Sequence, residues 1–291
     1  MTAFHLDPGA KVIVQGATGR MGSRHAQLMK RYGTNVVGGI AGTSGRRDDS
    51  DIPLFDTCRE AVAATGASVS ITLVPPMDVL AAVTEALEAG MTFIVSPSEG
   101  MPVRDALAAY ARAKAHGAIW VGPSTPGLAI PHRMKLGFIP DVSLLPGPVG
   151  VMSKSGTLSY EVCYRLAQRG IGQSAWIGVG GDPVKGLRFA ELLPFFQQDP
   201  ATRAVLVLGE IGGTEEEELA AEIARLSFTK PVFVLLAGAS APEGVTMGHA
   251  GALVQGGRGT IASKTSALRQ VGAAVFTSIE SLVDGVASSN V

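Results

Sequence analysis

Short β-branched runs alternate along the chain with longer stretches of mixed polarity. Lys11–Gln15 (KVIVQ), Asn35–Ile40, Ser68–Val74, Met91–Val95 and Ala118–Val121 each read as a short apolar strand. Helical stretches lie between them: Met21–Tyr32, Pro76–Ala89 and Val103–His116. The second half repeats the alternation, with strands at Val149–Met152, Ser174–Val179, Ala204–Leu208, Pro231–Leu236 and around Val275. Its helices are expected at Ser155–Arg169, Leu187–Gln197 and Thr214–Arg225. This alternation predicts βαβ units and mostly parallel sheets, hence an α/β protein of two doubly wound domains in series. Residues 123–148 break the pattern with six prolines, and proline lacks an N–H and fixes φ. That stretch is read as a connection without regular elements, between domains at 1–122 and 149–291.

Composition agrees with large buried cores. The 291 residues are 46% hydrophobic and only 17% charged, which excludes a disordered, highly charged chain. A net charge of −1 supplies no overall field toward nucleic acid or an anionic membrane. The two cysteines, Cys58 and Cys163, form no ligand-spaced cluster, so no metal site is expected and a reducing compartment fits. The opening MTAFHLDPGAKV has no basic segment followed by an apolar one, and no apolar run reaches the roughly 18 residues of a membrane span. A cytoplasmic location is expected.

The 37 glycines concentrate after the predicted strands. Gly16-Ala17-Thr18-Gly19-Arg20-Met21-Gly22 follows the first strand, where a tight turn brings backbone N–H groups at a helix start toward a pyrophosphate. Its spacing is G-x-x-G-x-x-G rather than the dinucleotide G-x-G-x-x-G. The next strand ends without an acid for a ribose but is followed by Arg46 and Arg47. These suit a ribose phosphate, and leave NADP and coenzyme A as the two candidates. Ser153-Lys154-Ser155-Gly156-Thr157, with Tyr160 soon after, forms a hydroxyl-rich helix start able to seat an anion, or an ordinary N-cap. Glu210 in Gly209-Glu210-Ile211-Gly212-Gly213 stands at the carboxyl end of a strand, facing the crevice where such sheets place ligands. The acidic run Glu215–Glu218 is read as a solvated first helical turn. His249, flanked by Gly248 and Ala250, has little side-chain cover, as a carrier imidazole requires, or is a structural histidine like most that stand alone.

Taken in order, VIVQGATGRMG, SEGMPV, SKSGTLSYE, GVGGDP, GEIGG and MGHAGA resemble the succinyl-CoA synthetase α-subunit family over nearly the whole chain, including its malate– and citrate–CoA ligase relatives. The resemblance implies a Rossmann-like CoA-binding domain followed by a flavodoxin-like domain carrying a phosphorylated histidine. It makes His249 the phosphate carrier, Glu210 its orienting carboxylate and Ser153–Thr157 the phosphoryl seat. Tyr160 and Ser124, Thr125, Pro126 and Gly127 would lie near the acid; Gly16, Thr18, Gly19, Arg20 and Met21, with Pro97, Ser98 and Glu99, would contact CoA. ATP or GTP with Mg would belong to an ATP-grasp β subunit, in a heterodimer or heterotetramer, since no G-x-x-x-x-G-K-[ST] occurs here. Two departures stand out: Ser44 where the family has a CoA-contacting lysine, and Ser124 where it has asparagine. An NADP-dependent reductase and a non-catalytic CoA-binding protein are the competing readings.

Overall fold

Val12–Gln15 (β1) is buried at all four positions, as a strand covered on both faces should be. It opens the first of two units in the computed structural model, which describes residues 3–41, 51–239, 248–252, 254, 259–289 and 291. The units are Met1–Ile139 with Val184–Leu187, and Pro140–Pro183 with Arg188–Val291.

In the first unit β1 is followed by Arg20–Tyr32 (α1), Val36–Ile40 (β2), Leu54–Phe55 (β3) and Cys58–Thr65 (α2). Val69–Thr72 (β4), Val79–Glu88 (α3), Phe93–Val95 (β5), Val103–Ala115 (α4) and Ile119–Val121 (β6) complete the winding. The strands are parallel in the order β3-β2-β1-β4-β5-β6, the Rossmann arrangement. Ile13, Val83, Ile94, Ala109 and Trp120 are among the buried side chains that join sheet and helices in one core. The order reverses between β1 and β4, and that switch point opens a crevice at their carboxyl ends.

The Pro-rich stretch corrects the expectation that it holds no regular element. Gly127–Ile130 (β7) and Met134–Gly137 (β8) form an antiparallel hairpin. Pro126 precedes the first strand and Pro131 sits in the turn, so neither removes a ladder hydrogen bond. Thr34 fastens the hairpin to the end of α1: its hydroxyl donates to the Lys135 carbonyl at 2.7 Å and accepts from the Lys135 N–H at 2.9 Å.

The second unit begins inside the same stretch at Pro140, and Pro146–Ser153 (β9) is its first strand. Gly156–Gln168 (α5), Gln173–Gly178 (β10), Phe189–Gln198 (α6), Ala204–Glu210 (β11) and Glu215–Leu226 (α7) follow. Val232–Ala237 (β12), Ile261–Gln270 (α8), Ala274–Phe276 (β13) and Ile279–Ala287 (α9) close it. Its parallel strands run β13-β12-β11-β9-β10, the flavodoxin-like order with its switch point between β9 and β11. Two details depart from the sequence pattern. Helix α8 buries Lys264 along with Leu268, so it carries no apolar stripe to announce it. The acidic run at the start of α7 is not solvated throughout: Glu215 is 3% and Glu216 0% exposed, because lysines from elsewhere meet them.

Candidate active site

In the first unit the glycine turn after β1 is packed too closely for side chains. A Cβ on Gly22 would lie 1.9 Å from the Gly16 carbonyl oxygen. Helix α1 starts behind Gly19 with no side-chain cap, so its first N–H groups have no intrahelical partner and face the crevice end of β1. Thr18 is buried in the turn, whereas Arg20 and Met21 are exposed on the first turn of the helix. Across the switch point the Ser98 hydroxyl donates to the Val74 carbonyl at 2.5 Å, and the Ser98 carbonyl accepts from the Ser124 N–H at 3.1 Å. Pro97 is buried and Glu99 exposed beside it. An uncapped helix start and closely packed glycines fit the pyrophosphate of CoA, which asks for backbone donors and close approach.

Of Ser124, Thr125, Pro126 and Gly127, only Ser124 is partly exposed. The Thr125 hydroxyl is spent on the Gly127 N–H at 2.9 Å. Ser124 holds φ 59°, a left-handed conformation that asparagine accepts more readily than serine. Arg46, Arg47 and Ser44 lie outside the described residues.

The second unit gathers its expected residues around its own switch point. At the end of β9 the Ser153 hydroxyl donates to the Ser155 carbonyl at 2.7 Å and accepts from the Ser155 N–H at 3.1 Å. Ser155 caps α5 by accepting from the Leu158 N–H at 3.4 Å. Lys154 is 6% exposed and paired with Glu216 at 2.8 Å and Glu215 at 3.7 Å. Burial works against its charge, but Glu216, Glu215 and Glu210 hold its ammonium above the usual lysine range. The helix start thus offers the backbone of Gly156 and Thr157 and the exposed Thr157 side chain, while Ser153 and Lys154 are engaged inward. The Tyr160 ring is tilted 33° to that of Trp176 with centroids 6.2 Å apart, and burial pushes its phenol up to about 12.

Glu210 ends β11 and is 8% exposed. Its Oε2 lies 2.6 Å from His249 Nδ1, although 39 residues separate the two. An ionised carboxylate only accepts, so Nδ1–H is the donor, and in the neutral imidazole Nε2 then carries the lone pair. The other wall of the imidazole is Gly181, in the loop after β10: a Cβ there would lie 2.4 Å from His249 Cγ and 2.5 Å from Nδ1. The Gly251 N–H donates to the Gly181 carbonyl at 3.2 Å and ties the histidine loop down. In sequence Gly181 appears only within the GVGGDP motif, a glycine pair directly after an apolar strand, with no role of its own. Among the described residues no cluster of His, Cys, Asp or Glu is disposed to hold a metal ion, and no helix is long and apolar enough to cross a membrane.

Comparisons with known proteins place both units. A CoA binding domain family model matches residues 8–100, and a CoA-ligase family model matches residues 152–274. The chain is 45% identical to the α subunit of ADP-forming succinate–CoA ligase from Aquifex aeolicus, over 94% of this chain and 90% of that one. It is 42% identical to the malate–CoA ligase α subunit of Methylorubrum extorquens, over 93% and 92% of the two chains. The fold is that of ATP citrate lyase from Methanothrix soehngenii, with a TM-score of 0.86 and 23% identity over 97% of this chain and 50% of that one. A nicotinamide-dependent reductase would leave residues 152–274 without an explanation. A CoA-binding unit of Rossmann order, a flavodoxin-like unit pairing His249 with Glu210, and relatives alike over nearly their whole length lead to one conclusion: the chain belongs to the α subunits of the ADP-forming acid–CoA ligases.

Proposed function

We propose that this chain, with a β subunit of ATP-grasp type, forms an acyl-CoA from a small di- or tricarboxylic acid, CoA and ATP or GTP, through phosphorylated His249. The observation that carries this reading is the 2.6 Å contact between Glu210 and His249 Nδ1, which leaves Nε2 as the nucleophile. The partner binds the nucleotide and Mg, and the complex is a heterodimer or heterotetramer.

Each step balances on residues of this chain. The Nε2 lone pair attacks the γ-phosphorus; an N–P bond forms, the P–O bond to the nucleoside diphosphate breaks, and Glu210 stabilises the positive imidazole through the Nδ1–H it retains. The start of α5, around Gly156 and Thr157, holds the phosphoryl oxygens by N–H groups and a hydroxyl. A substrate carboxylate oxygen then attacks phosphorus, the N–P bond breaks, and an acyl phosphate results. The CoA thiolate adds to the acyl carbon and phosphate leaves, its thiol proton having passed to solvent. CoA is held by residues 16–21 with Pro97, Ser98 and Glu99, and Arg46 or Arg47 takes over from the lysine replaced by Ser44. Within the second unit, Tyr160 contacts the acid.

The test is incubation of the co-purified complex with γ-labelled ATP, comparing wild type with His249→Asn. Acid-labile, base-stable label on this chain is expected, absent from the variant and discharged by CoA with one acid of a panel. No label on a folded complex would overturn the reading.

A further inference from the structure

Two lysines and three glutamates are packed near Glu210, and of them only Lys154 belongs to the expected phosphoryl seat. Glu216 is 0% exposed, with one carboxylate oxygen against Lys154 Nζ at 2.8 Å and the other accepting from Lys264 Nζ. The oxygen that meets Lys154 also accepts from the Glu210 main-chain N–H at 3.1 Å. Lys264, itself 0% exposed, donates further to the Gly213 carbonyl at 3.1 Å and to Glu217 at 3.2 Å, so all three ammonium protons are used. Burial alone would raise the Glu216 carboxyl, but the two ammoniums hold it below the usual carboxylate range. A Cβ on Gly209 would lie 2.5 Å from the same Glu216 oxygen, so only glycine at the strand end leaves room for the carboxylate.

Such a cluster is a poor way to gain stability, because burying four of its five charges offsets most of their attraction and a packed apolar set does as well. What it does provide is a single arrangement, since a fully satisfied buried network is rigid. The parts held are the Glu210 N–H on one side and the Gly213 carbonyl, three residues on, at the other.

We infer that Glu216 and Lys264 are positioning residues, which hold the residue 210–213 turn so that Glu210 keeps His249 in its Nδ1–H form. The inference rests on the phosphohistidine reading for its kinetic consequence only; the tautomer is read independently.

The experiment compares wild type, Glu216→Gln, Lys264→Met and a stability control, Val286→Ala in α9, each as the full chain with its partner. Histidine-selective 15N correlation spectra report the His249 tautomer without added ligand, and rapid-quench experiments with labelled ATP report phosphorylation. Both network variants should show Nε2–H signal at His249 and phosphorylate about 10- to 100-fold more slowly, the loss expected for a reacting group displaced by around 1 Å. The KM for CoA should stay within twofold, and Val286→Ala should change neither readout. A wild-type tautomer and a rate within threefold of the control overturn the inference. If Lys264→Met does not fold, Glu216→Gln, which exchanges one oxygen for an amide nitrogen, decides alone. An unlabelled wild type would instead overturn the phosphohistidine reading and leave this one to the spectra.

Discussion

Replacing Gly181 by alanine gives the sharpest test of how the imidazole is held. The added Cβ would sit 2.4 Å from His249 Cγ, 2.5 Å from Nδ1 and 2.8 Å from Cδ2. Carbon atoms pack at about 3.5–4.0 Å, so the overlap is about 1 Å. The contacted atoms belong to the root of the ring rather than a flexible tip, and the whole imidazole must swing. A shift of that size carries the 2.6 Å contact to Glu210 beyond hydrogen-bond range. Losing a charge-assisted hydrogen bond costs about 1.5–3 kcal/mol, or roughly 10- to 150-fold in rate, and misplacing a reacting atom by 1 Å costs about 100-fold. Single-turnover phosphorylation from labelled ATP should therefore fall about 100-fold. Calorimetric CoA affinity should not change, because residues 16–21 and 97–99 lie in the other unit. Phosphorylation within threefold of wild type, in a folded variant, would refute the argument that Gly181 forms one wall of the site.

Two further outcomes follow from local geometry. Ser124 at φ 59° should tolerate asparagine and resist valine: Ser124→Val destabilises the first unit by about 1–2 kcal/mol, and Ser124→Asn does not. Denaturant titration followed by Trp120 fluorescence, in a Trp176→Phe background, reads this; equal midpoints for the two variants would count against it. Burial, aided by Glu85, pushes the Cys58 thiol up to about 12, and burial alone does the same for Cys163. The raised values favour the neutral thiol, so at pH 8 only about one molecule in 10⁴ carries either thiolate. Native protein should leave Ellman's reagent unreacted at pH 8 and show two thiols in guanidinium; prompt native labelling would contradict the burial argument.

Much of this protein was legible before any coordinates. The alternation of short apolar runs with longer helical stretches gave two α/β units, because strand and helix periods are local properties of neighbouring residues. The glycine turn after β1, the hydroxyl turn at the end of β9 and Glu210 at the end of β11 stood out as candidates because parallel sheets place ligands at the carboxyl ends of their strands. The hairpin of β7 and β8 was missed because proline density reads as irregular, whereas its prolines stand at the strand margins. What only the tertiary structure decided is which polar groups are inside and whom they meet. In sequence Glu216 read as part of a solvated helical turn, Lys154 as part of an anion seat, and Lys264 had no part at all, since a charge is buried only when an opposite charge waits for it. Those partners come from the turn after β9, from α7 and from α8, and no local pattern links them. His249 and Glu210 are likewise 39 residues apart, and their 2.6 Å contact exists only because β11 and the histidine loop are brought to the same end of one sheet.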